Sequence, residues 1–225
     1  MSPGEFTHGC SAVVAVKARP HCKSRLAGRL APESRVLLVR LMLNGVLDAL
    51  RGARLIGRIV VVSPERDTVP PDIRVLRDPG DGLNPALDSA RQVLVENGVT
   101  EILILPADLP LVTADDIDQL VASGRRTGFA SATDAAGTGT NALYIAPPTS
   151  FRFQFGPASR FHHLDEAARL GMGAEALRLQ GLEFDLDGPA DLAYLLAQHH
   201  ARYDSLPRLP GETTTAAAGS IALAG

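Results

Sequence analysis

Leu105-Pro106-Ala107-Asp108-Leu109-Pro110, directly after the apolar run Ile102-Leu103-Ile104, is the stretch of this sequence that decides its fold. A run of aliphatic residues without alternation is typical of a strand buried on both faces, as in parallel sheets. Open α/β sheets bind ligands at the carboxyl ends of such strands, and the flanking prolines stiffen the loop that carries Asp108. Asp108 is therefore a candidate metal ligand, although a turn former or a helix cap would use the same residue.

Strands and helices alternate along the rest of the chain. Predicted strands cover 11–16, 59–62, 73–76, 102–105, 142–146 and 177–179, and predicted helices cover 32–50, 83–96, 113–122, 159–170 and 189–203. Strands that alternate with helices of this length form a parallel or mixed sheet. We predict a single Rossmann-like α/β domain whose mixed, mostly parallel sheet is covered by helices on both faces.

Composition and charge narrow the class of function. The chain has 225 residues, of which 45% are hydrophobic and 21% charged, enough for a sizeable core. A formal net charge of −3 and the lack of a basic run give no general attraction to nucleic acid. Any anion would therefore be held by a local cluster of cations.

The ends of the sequence and its cysteines indicate the compartment. The first residues lack the basic and apolar regions of a signal peptide, and no apolar run approaches the ~20 residues that span a bilayer. Cys10 and Cys22 lack metal-ligand spacing, which favours reduced thiols in a cytoplasmic protein. We expect a flexible N-terminus over 1–10, one domain over 11–204 and a disordered tail over 205–225.

A basic loop follows the first predicted strand. Four cations fall within nine residues there, namely Lys17, Arg19, Lys23 and Arg25. The loop leaves the sheet at the same edge as Asp108, where clustered cations suit a polyphosphate. A solvated basic loop is the alternative, and the lack of a GxxxxGK[ST] motif excludes a Walker A loop.

Two segments of small residues are candidate anion sites. Gly137-Thr138-Gly139-Thr140-Asn141-Ala142 matches G-x-G-x-x-A, but it leads into a strand and no acidic residue follows at the dinucleotide-binding distance. Its hydroxyls and N–H groups suit a carboxylate or phosphate, unless it is a plain turn. In Phe155-Gly156-Pro157-Ala158-Ser159, Ser159 is predicted to cap the next helix or to hold an anion. His162 and His163 follow on different faces of that helix and are not a metal pair.

The stretch Phe184-Asp185-Leu186-Asp187-Gly188-Pro189 supplies a D-x-D motif, which we place at the end of a strand. In extended chain the two carboxylates lie on the same side. One of them together with Asp108 would form an oxygen-ligand site for Mg²⁺. We favour Asp185, because Asp187 could instead cap the helix that starts at Gly188-Pro189.

Taken together, these segments resemble the 2-phospholactate guanylyltransferase family of coenzyme F-420 biosynthesis. The matching pieces, in family order over about residues 11 to 195, are Val16-Lys17, Lys23-Ser24-Arg25-Leu26, Asp78-Pro79-Gly80, Gly82-Leu83-Asn84, Pro106-Ala107-Asp108-Leu109-Pro110, Gly137-Thr138-Gly139-Thr140-Asn141-Ala142-Leu143, Phe155-Gly156-Pro157 with Ser159, and Asp185-Leu186-Asp187. Pro85 and Phe161-His162-His163 depart from the family pattern near the expected substrate region.

The resemblance implies a nucleotidyltransferase fold, and a reaction of GTP with a phosphorylated three-carbon acid that yields a GMP-linked acid and pyrophosphate. It implies Mg²⁺ as cofactor, bound by Asp108 and Asp185. It also implies acid contacts from Thr140, Gly156 and Ser159. No membrane or nucleic-acid partner is expected, and a homodimer is one option for the oligomeric state.

The chemistry needs no protein nucleophile. A phosphate monoester has a second pKa near ~6, so at neutral pH it attacks as a dianion without a general base. The catalytic set is then Asp108 with Lys23 and Arg25, which with Lys17 would neutralise the triphosphate. Asn84 is a candidate hydrogen-bond partner of the nucleoside.

The most detailed prediction is which phosphorylated acid is the substrate. Family members use 2-phospho-L-lactate, phosphoenolpyruvate or 3-phospho-D-glycerate. A polar set with spare hydrogen-bonding capacity favours 3-phospho-D-glycerate, whose extra hydroxyl would cost about 1–3 kcal/mol to bury without a partner. That set comprises Thr138, Thr140, Asn141, Ser159 and His162.

The alternative functions are another nucleotidyltransferase, a D-x-D glycosyltransferase, or a non-catalytic nucleotide-binding module.

Overall fold

A computed structural model describes residues 9–16, 23–78, 80–198 and 201–206 of the chain. Within these residues seven strands form one sheet in the order β3-β2-β1-β4-β6-β5-β7. The strands are β1 Cys10–Ala15, β2 Ile56–Ser63, β3 Arg74–Arg77, β4 Ile102–Pro106, β5 Gly128–Thr133, β6 Thr140–Ile145 and β7 Gly173–Leu177. Of the N-terminus expected over 1–10 and the tail expected over 205–225, residues 1–8 and 207–225 lie outside the described residues, whereas Cys10 begins β1 and Leu206 is buried.

The sheet is mixed and mostly parallel, as predicted. β1 pairs in parallel with β2 and β4, β2 with β3, and β5 with β7. β6 is the exception, because it runs antiparallel to both β4 and β5. The carboxyl ends of β1, β4, β5 and β7 and the amino end of β6 therefore meet at one edge of the sheet, which we call the ligand edge.

Helices cover both faces of the sheet. They are α1 Pro32–Gly52, α2 Leu83–Glu96, α3 Ala114–Thr127, α4 Ser159–Arg169, α5 Gln180–Glu183 and α6 Pro189–Ala197. Neighbouring residues of β1 point to opposite faces: Val14 packs in the cluster that holds α1 and α3, whereas Val13 packs with α2 and α4. The layered architecture thus follows from strands that are apolar on both sides.

Most predicted elements are confirmed within a few residues. The helix over 83–96 is found with the same limits, and α3 begins with a capping box, in which Thr113 and Asp116 bond each other's main-chain N–H groups. The strand predicted over 177–179 was wrong, since β7 ends at Leu177. The last helix ends at Ala197, and a separate 3-10 turn follows over Ala201–Tyr203.

One strand was not predicted. β5 has the sequence GFASAT, in which small and hydroxyl residues dominate and only Phe129 is large and apolar. It is nevertheless buried at the centre of the sheet's antiparallel half, with Ala130 and Ala132 facing the core of α1 and α3. The helix α3 packs directly on this strand, which fits the small side chains on that face.

Among the described residues no helix is long and apolar enough to cross a membrane.

Candidate active site

A lysine and two aspartates form an ion-pair cluster at the ligand edge. Lys23 Nζ lies 2.8 Å from Asp108 Oδ2 and 3.3 Å from Asp187 Oδ1. Asp108 follows β4, and Lys23 lies in the loop after the neighbouring strand β1, so the parallel pairing of these strands brings them together. The Lys23 side chain is only 8% exposed, which makes this contact stronger than a surface ion pair.

Arg25 adds a second cation to this cluster. Its Nη1 lies 3.5 Å from Asp187 Oδ2, but its side chain is 75% exposed and free to move toward an incoming anion. The main chain of Lys23 adopts the left-handed conformation with φ 48°, which begins the short 3-10 helix Ser24–Leu26 that carries Arg25. Lys17, the third predicted cation of the site, lies outside the described residues.

Asp185 lies beside the same cluster in a half-buried position. Burial raises the pKa of its carboxyl group above the ordinary value, and the negative charges of Asp108 and Asp187 raise it further. Asn141 opposes this shift, since its Nδ2 donates to Asp185 Oδ1 at 3.4 Å. The same amide donates to the main-chain oxygen of Leu182 at 2.8 Å and so ties β6 to the segment that leads to Asp185.

The D-x-D motif does not end a strand, contrary to the sequence prediction. It lies in extended chain after the short helix α5, and the main-chain N–H of Leu186 donates to the Asp108 carbonyl at 3.0 Å. Asp187 does not cap the next helix. Asp191 does so instead, because its Oδ2 accepts from the N–H groups of Asp187 and Gly188. The Asp187 carboxylate is thus left to Lys23 and Arg25.

The three residues predicted to contact the acid also come together. The Thr140 N–H donates to Ser159 Oγ at 2.9 Å, and the Ser159 N–H donates to the Gly156 carbonyl at 3.2 Å. The prediction that Ser159 caps α4 was wrong: Ala158 is the N-cap, in the left-handed conformation with φ 57°, and Ser159 is the first helical residue. Its hydroxyl oxygen instead accepts from the Thr140 N–H, because the start of β6 lies close to the start of α4.

The loop before β6 is shaped by a single carboxylate. Asp134 Oδ1 accepts from the N–H groups of Thr138 and Gly139, each at 2.9 Å. Gly139 leaves room for this carboxylate, since a Cβ there would lie 2.7 Å from Asp134 Oδ2 and the side chain would have to shift. The segment is therefore an organised turn that leads into a strand, which confirms that it is not the start of a dinucleotide-binding helix.

Asn84 makes a two-way contact with main chain. Its Nδ2 donates to the Phe155 carbonyl at 3.1 Å, and its Oδ1 accepts from the Phe155 N–H at 2.8 Å. In the described structure it therefore anchors the residue before Gly156 to the start of α2. A contact to the nucleoside stays a prediction, which would use the second N–H of the same amide.

The donor set fits a magnesium ion. Mg²⁺ is bound in proteins through one or two carboxylates, with the other positions filled by water and substrate phosphates. Asp108 and Asp185 supply such a pair, and they lie close together, since the negative charge of Asp108 adds to the effect of burial in raising the pKa of Asp185. Within the described part of the chain no group of three or more His, Cys, Asp or Glu has metal-binding geometry.

The sheet and its covering helices form a nucleotidyltransferase fold. A CMP:2-keto-3-deoxy-manno-octonic acid synthetase complexed with CTP aligns with a TM-score of 0.59, over 85% of this chain and 100% of that chain, at 12% sequence identity. Such a likeness shows a shared fold, and it confirms the predicted fold class.

The chain belongs to the CofC-like guanylyl transferase family, whose model matches residues 10–205. It is 42% identical to a phosphoenolpyruvate guanylyltransferase of Sphaerobacter thermophilus over 188 residues, which are 82% of this chain and 91% of the relative. A phosphoenolpyruvate guanylyltransferase of Rubrobacter xylanophilus is 41% identical over 198 residues, 85% of this chain and 96% of the relative. The predicted family and the predicted guanylyltransferase activity are confirmed.

Proposed function

We propose that this guanylyltransferase transfers GMP from GTP to the phosphate of phosphoenolpyruvate and releases pyrophosphate, as a step of coenzyme F-420 biosynthesis. A phosphate oxygen of the acid forms a bond to the α-phosphorus of GTP, and the bond from that phosphorus to the bridging oxygen of pyrophosphate breaks. The observation that carries the proposal is the pairing of Lys23 with Asp108 and Asp187 at the ligand edge, beside the loop that holds Thr140.

The chain's own residues meet the electrostatic demand of this reaction. Two anions must approach each other, so fixed positive charge is needed where charge builds up on the α-phosphate and on pyrophosphate. Lys23 and Arg25 supply that charge from the loop after β1. Asp108 and Asp185 would hold Mg²⁺, which would supply further positive charge to the phosphates.

The sequence alone favours 3-phospho-D-glycerate as the acid. The structure of the loops around Thr140 and Ser159 instead supports phosphoenolpyruvate. 3-Phospho-D-glycerate needs spare polar groups, yet Thr140, Asn141 and Ser159 are each less than 9% exposed and already hydrogen-bonded within the protein, and Thr140 has only its hydroxyl proton left to donate. An extra substrate hydroxyl would find few partners here and would lose about 1–3 kcal/mol. Phosphoenolpyruvate has no free hydroxyl, and the two relatives described above carry its name.

The test is a competition among acids. The protein is incubated with GTP, Mg²⁺ and equal concentrations of phosphoenolpyruvate, 3-phospho-D-glycerate and 2-phospho-L-lactate, and the GMP-linked products are separated by mass. We expect the phosphoenolpyruvate adduct to dominate, with one pyrophosphate released per adduct. A pool dominated by either other adduct would reject the proposed acid. Nucleoside diphosphate in place of pyrophosphate would reject the proposed reaction.

A further inference from the structure

His163 is a fully buried histidine that the reaction described so far does not use. It lies on the first turns of α4 with none of its surface exposed. Its ring meets the ring of Phe155 edge-on at a centroid distance of 4.8 Å, and Phe151 lies 5.9 Å away. An apolar pocket of this kind would be filled as well by leucine, so the two ring nitrogens need a separate explanation.

Both ring nitrogens have polar partners. The Gln154 main-chain N–H donates to Nε2 at 3.0 Å, and Nδ1 lies 3.1 Å from the Thr140 hydroxyl oxygen. Because a main-chain N–H can only donate, Nε2 must be the unprotonated nitrogen and the ring proton sits on Nδ1. His163 therefore donates to Thr140 Oγ1.

The surroundings keep the ring neutral. The pKa of His163 is lowered to about 4, mainly by burial and also by the neighbouring His162, against the smaller opposite effect of Glu166. The charge of Glu166 is itself compensated by Arg152 and Arg169. At neutral pH the tautomer that donates to Thr140 is thus the one present.

We infer that His163 is a positioning residue for the acid substrate, acting through Thr140. Since Thr140 Oγ1 accepts from His163, its own hydroxyl proton is left to donate, and a carboxylate accepts such a proton. The Thr140 main-chain N–H is already given to Ser159 Oγ, so this hydroxyl is the donor that Thr140 can offer. The inference rests on the proposed function, in which a three-carbon acid lies against this loop.

Two substitutions at one position separate this role from simple packing. In His163→Gln the side-chain amide reaches the place of Nε2 and can still accept from Gln154, but the donor to Thr140 is lost. In His163→Asn the amide lies near the place of Nδ1 and can still donate to Thr140, but the acceptor for Gln154 is lost. Both variants remove the ring, so a packing role would affect them alike.

The measurement is steady-state kinetics with GTP, Mg²⁺ and phosphoenolpyruvate, with thermal unfolding in parallel. We expect His163→Gln to raise KM for phosphoenolpyruvate about 10-fold and KM for GTP less than ~2-fold, while His163→Asn raises KM for the acid much less. Thr140→Val, which keeps the branched shape, should match His163→Gln. Because the two act through one hydrogen bond, the double variant should be no worse than the poorer single variant. Asp165→Asn, exposed on the same helix, is the control.

The inference is overturned if the Gln and Asn variants are equally impaired, if KM for GTP rises as much as KM for the acid, or if the two losses multiply in the double variant. Should His163→Gln unfold, Thr140→Val decides alone, and an unchanged KM for the acid overturns the inference. Failure of the proposed function shows earlier, as a wild-type protein that prefers another acid. The same variants are then measured with that acid.

Discussion

Lys23 Nζ lies 2.8 Å from Asp108 Oδ2, so a cation of the protein is bound to the carboxylate that we expect to hold Mg²⁺. The same ammonium lies 3.3 Å from Asp187, and the Lys23 side chain is almost fully buried. An ammonium group and a magnesium ion on one carboxylate are two positive charges a few ångströms apart, and they repel each other. Lys23 is thus a countercharge of the acidic cluster, and we expect it to move toward phosphate when metal and nucleotide bind.

The first prediction is that Lys23→Met strengthens metal binding and slows catalysis. Removing a competing positive charge should tighten Mn²⁺ binding roughly 3- to 10-fold in the absence of nucleotide, because like charges at a few ångströms repel. Turnover should fall, since the charge that neutralises pyrophosphate is also gone. Mn²⁺ binding is read by electron paramagnetic resonance, and turnover by pyrophosphate release.

Arg25→Met is the matched control for this experiment. It also removes one cation near Asp187, but from an exposed side chain at 3.5 Å. We expect it to change Mn²⁺ affinity less than Lys23→Met does. Weaker Mn²⁺ binding in Lys23→Met than in the wild type would show that Lys23 does not compete with the metal.

The second prediction concerns Asp108 itself. Asp108→Asn keeps the shape of the side chain and the main-chain oxygen that accepts from Leu186, so the fold should be retained. Turnover with saturating GTP and acid should fall at least ~100-fold, the scale of a lost electrostatic contact in a transition state. Asp48→Asn, an exposed partner of Arg51 on α1, should leave turnover unchanged. Near wild-type turnover in Asp108→Asn would refute the assignment of the metal site.

The central sheet could be predicted because its strands carry their own signal. Ile102–Pro106 is apolar at every position, and such a run has few structures open to it other than a strand buried on both faces. Gly128–Thr133 has no such signal, because its small residues are selected by the helix that packs on them. That selection is a tertiary effect, and no local pattern reveals it.

The site was predictable at the level of the sheet edge and not at the level of hydrogen bonds. The carboxyl ends of adjacent parallel strands must meet, so Lys23 and Asp108 could be placed together from the order of elements. The hydrogen bond from the Thr140 N–H to the Ser159 hydroxyl could not be predicted, since Thr140 is 19 residues away and in another element. Ser159 has the local features of a helix cap, and only the tertiary structure decides between the two roles.

The third prediction tests the loop held by Asp134. Gly139→Ala would place a Cβ 2.7 Å from Asp134 Oδ2, so the carboxylate must shift and weaken its bonds to the Thr138 and Gly139 N–H groups. We expect KM for the acid to rise severalfold, because the loop leads directly into Thr140. Gly52→Ala, at the far end of α1, meets only an ordinary contact at 3.4 Å and should leave KM unchanged. Equal KM values in the two variants would mean that the loop is not part of the acid site.

The fourth prediction is a dependence of stability on pH that arises from His163. Its pKa of about 4 in the folded protein lies below the ordinary value of 6.5, so between these values the unfolded chain binds a proton that the folded protein does not. The free energy of unfolding must then fall as pH is lowered through this window. From pH 7 to pH 5 this single group should account for a loss of about 2 kcal/mol. Glu166 does not interfere, because its pKa of about 2 and its ordinary value of 4.5 both lie below that range.

Urea unfolding of the wild type and His163→Asn at pH 7, 6 and 5 measures how much His163 contributes to the pH dependence of the free energy of unfolding. Both proteins share the remaining histidines, so the difference between their slopes isolates His163. We expect the variant to be less stable at pH 7, because it loses packing and a hydrogen bond, and to lose clearly less stability than the wild type on acidification. The two curves should therefore converge toward pH 5. Parallel curves would mean that His163 titrates normally in the folded protein, and the buried neutral ring that positions Thr140 would have to be given up.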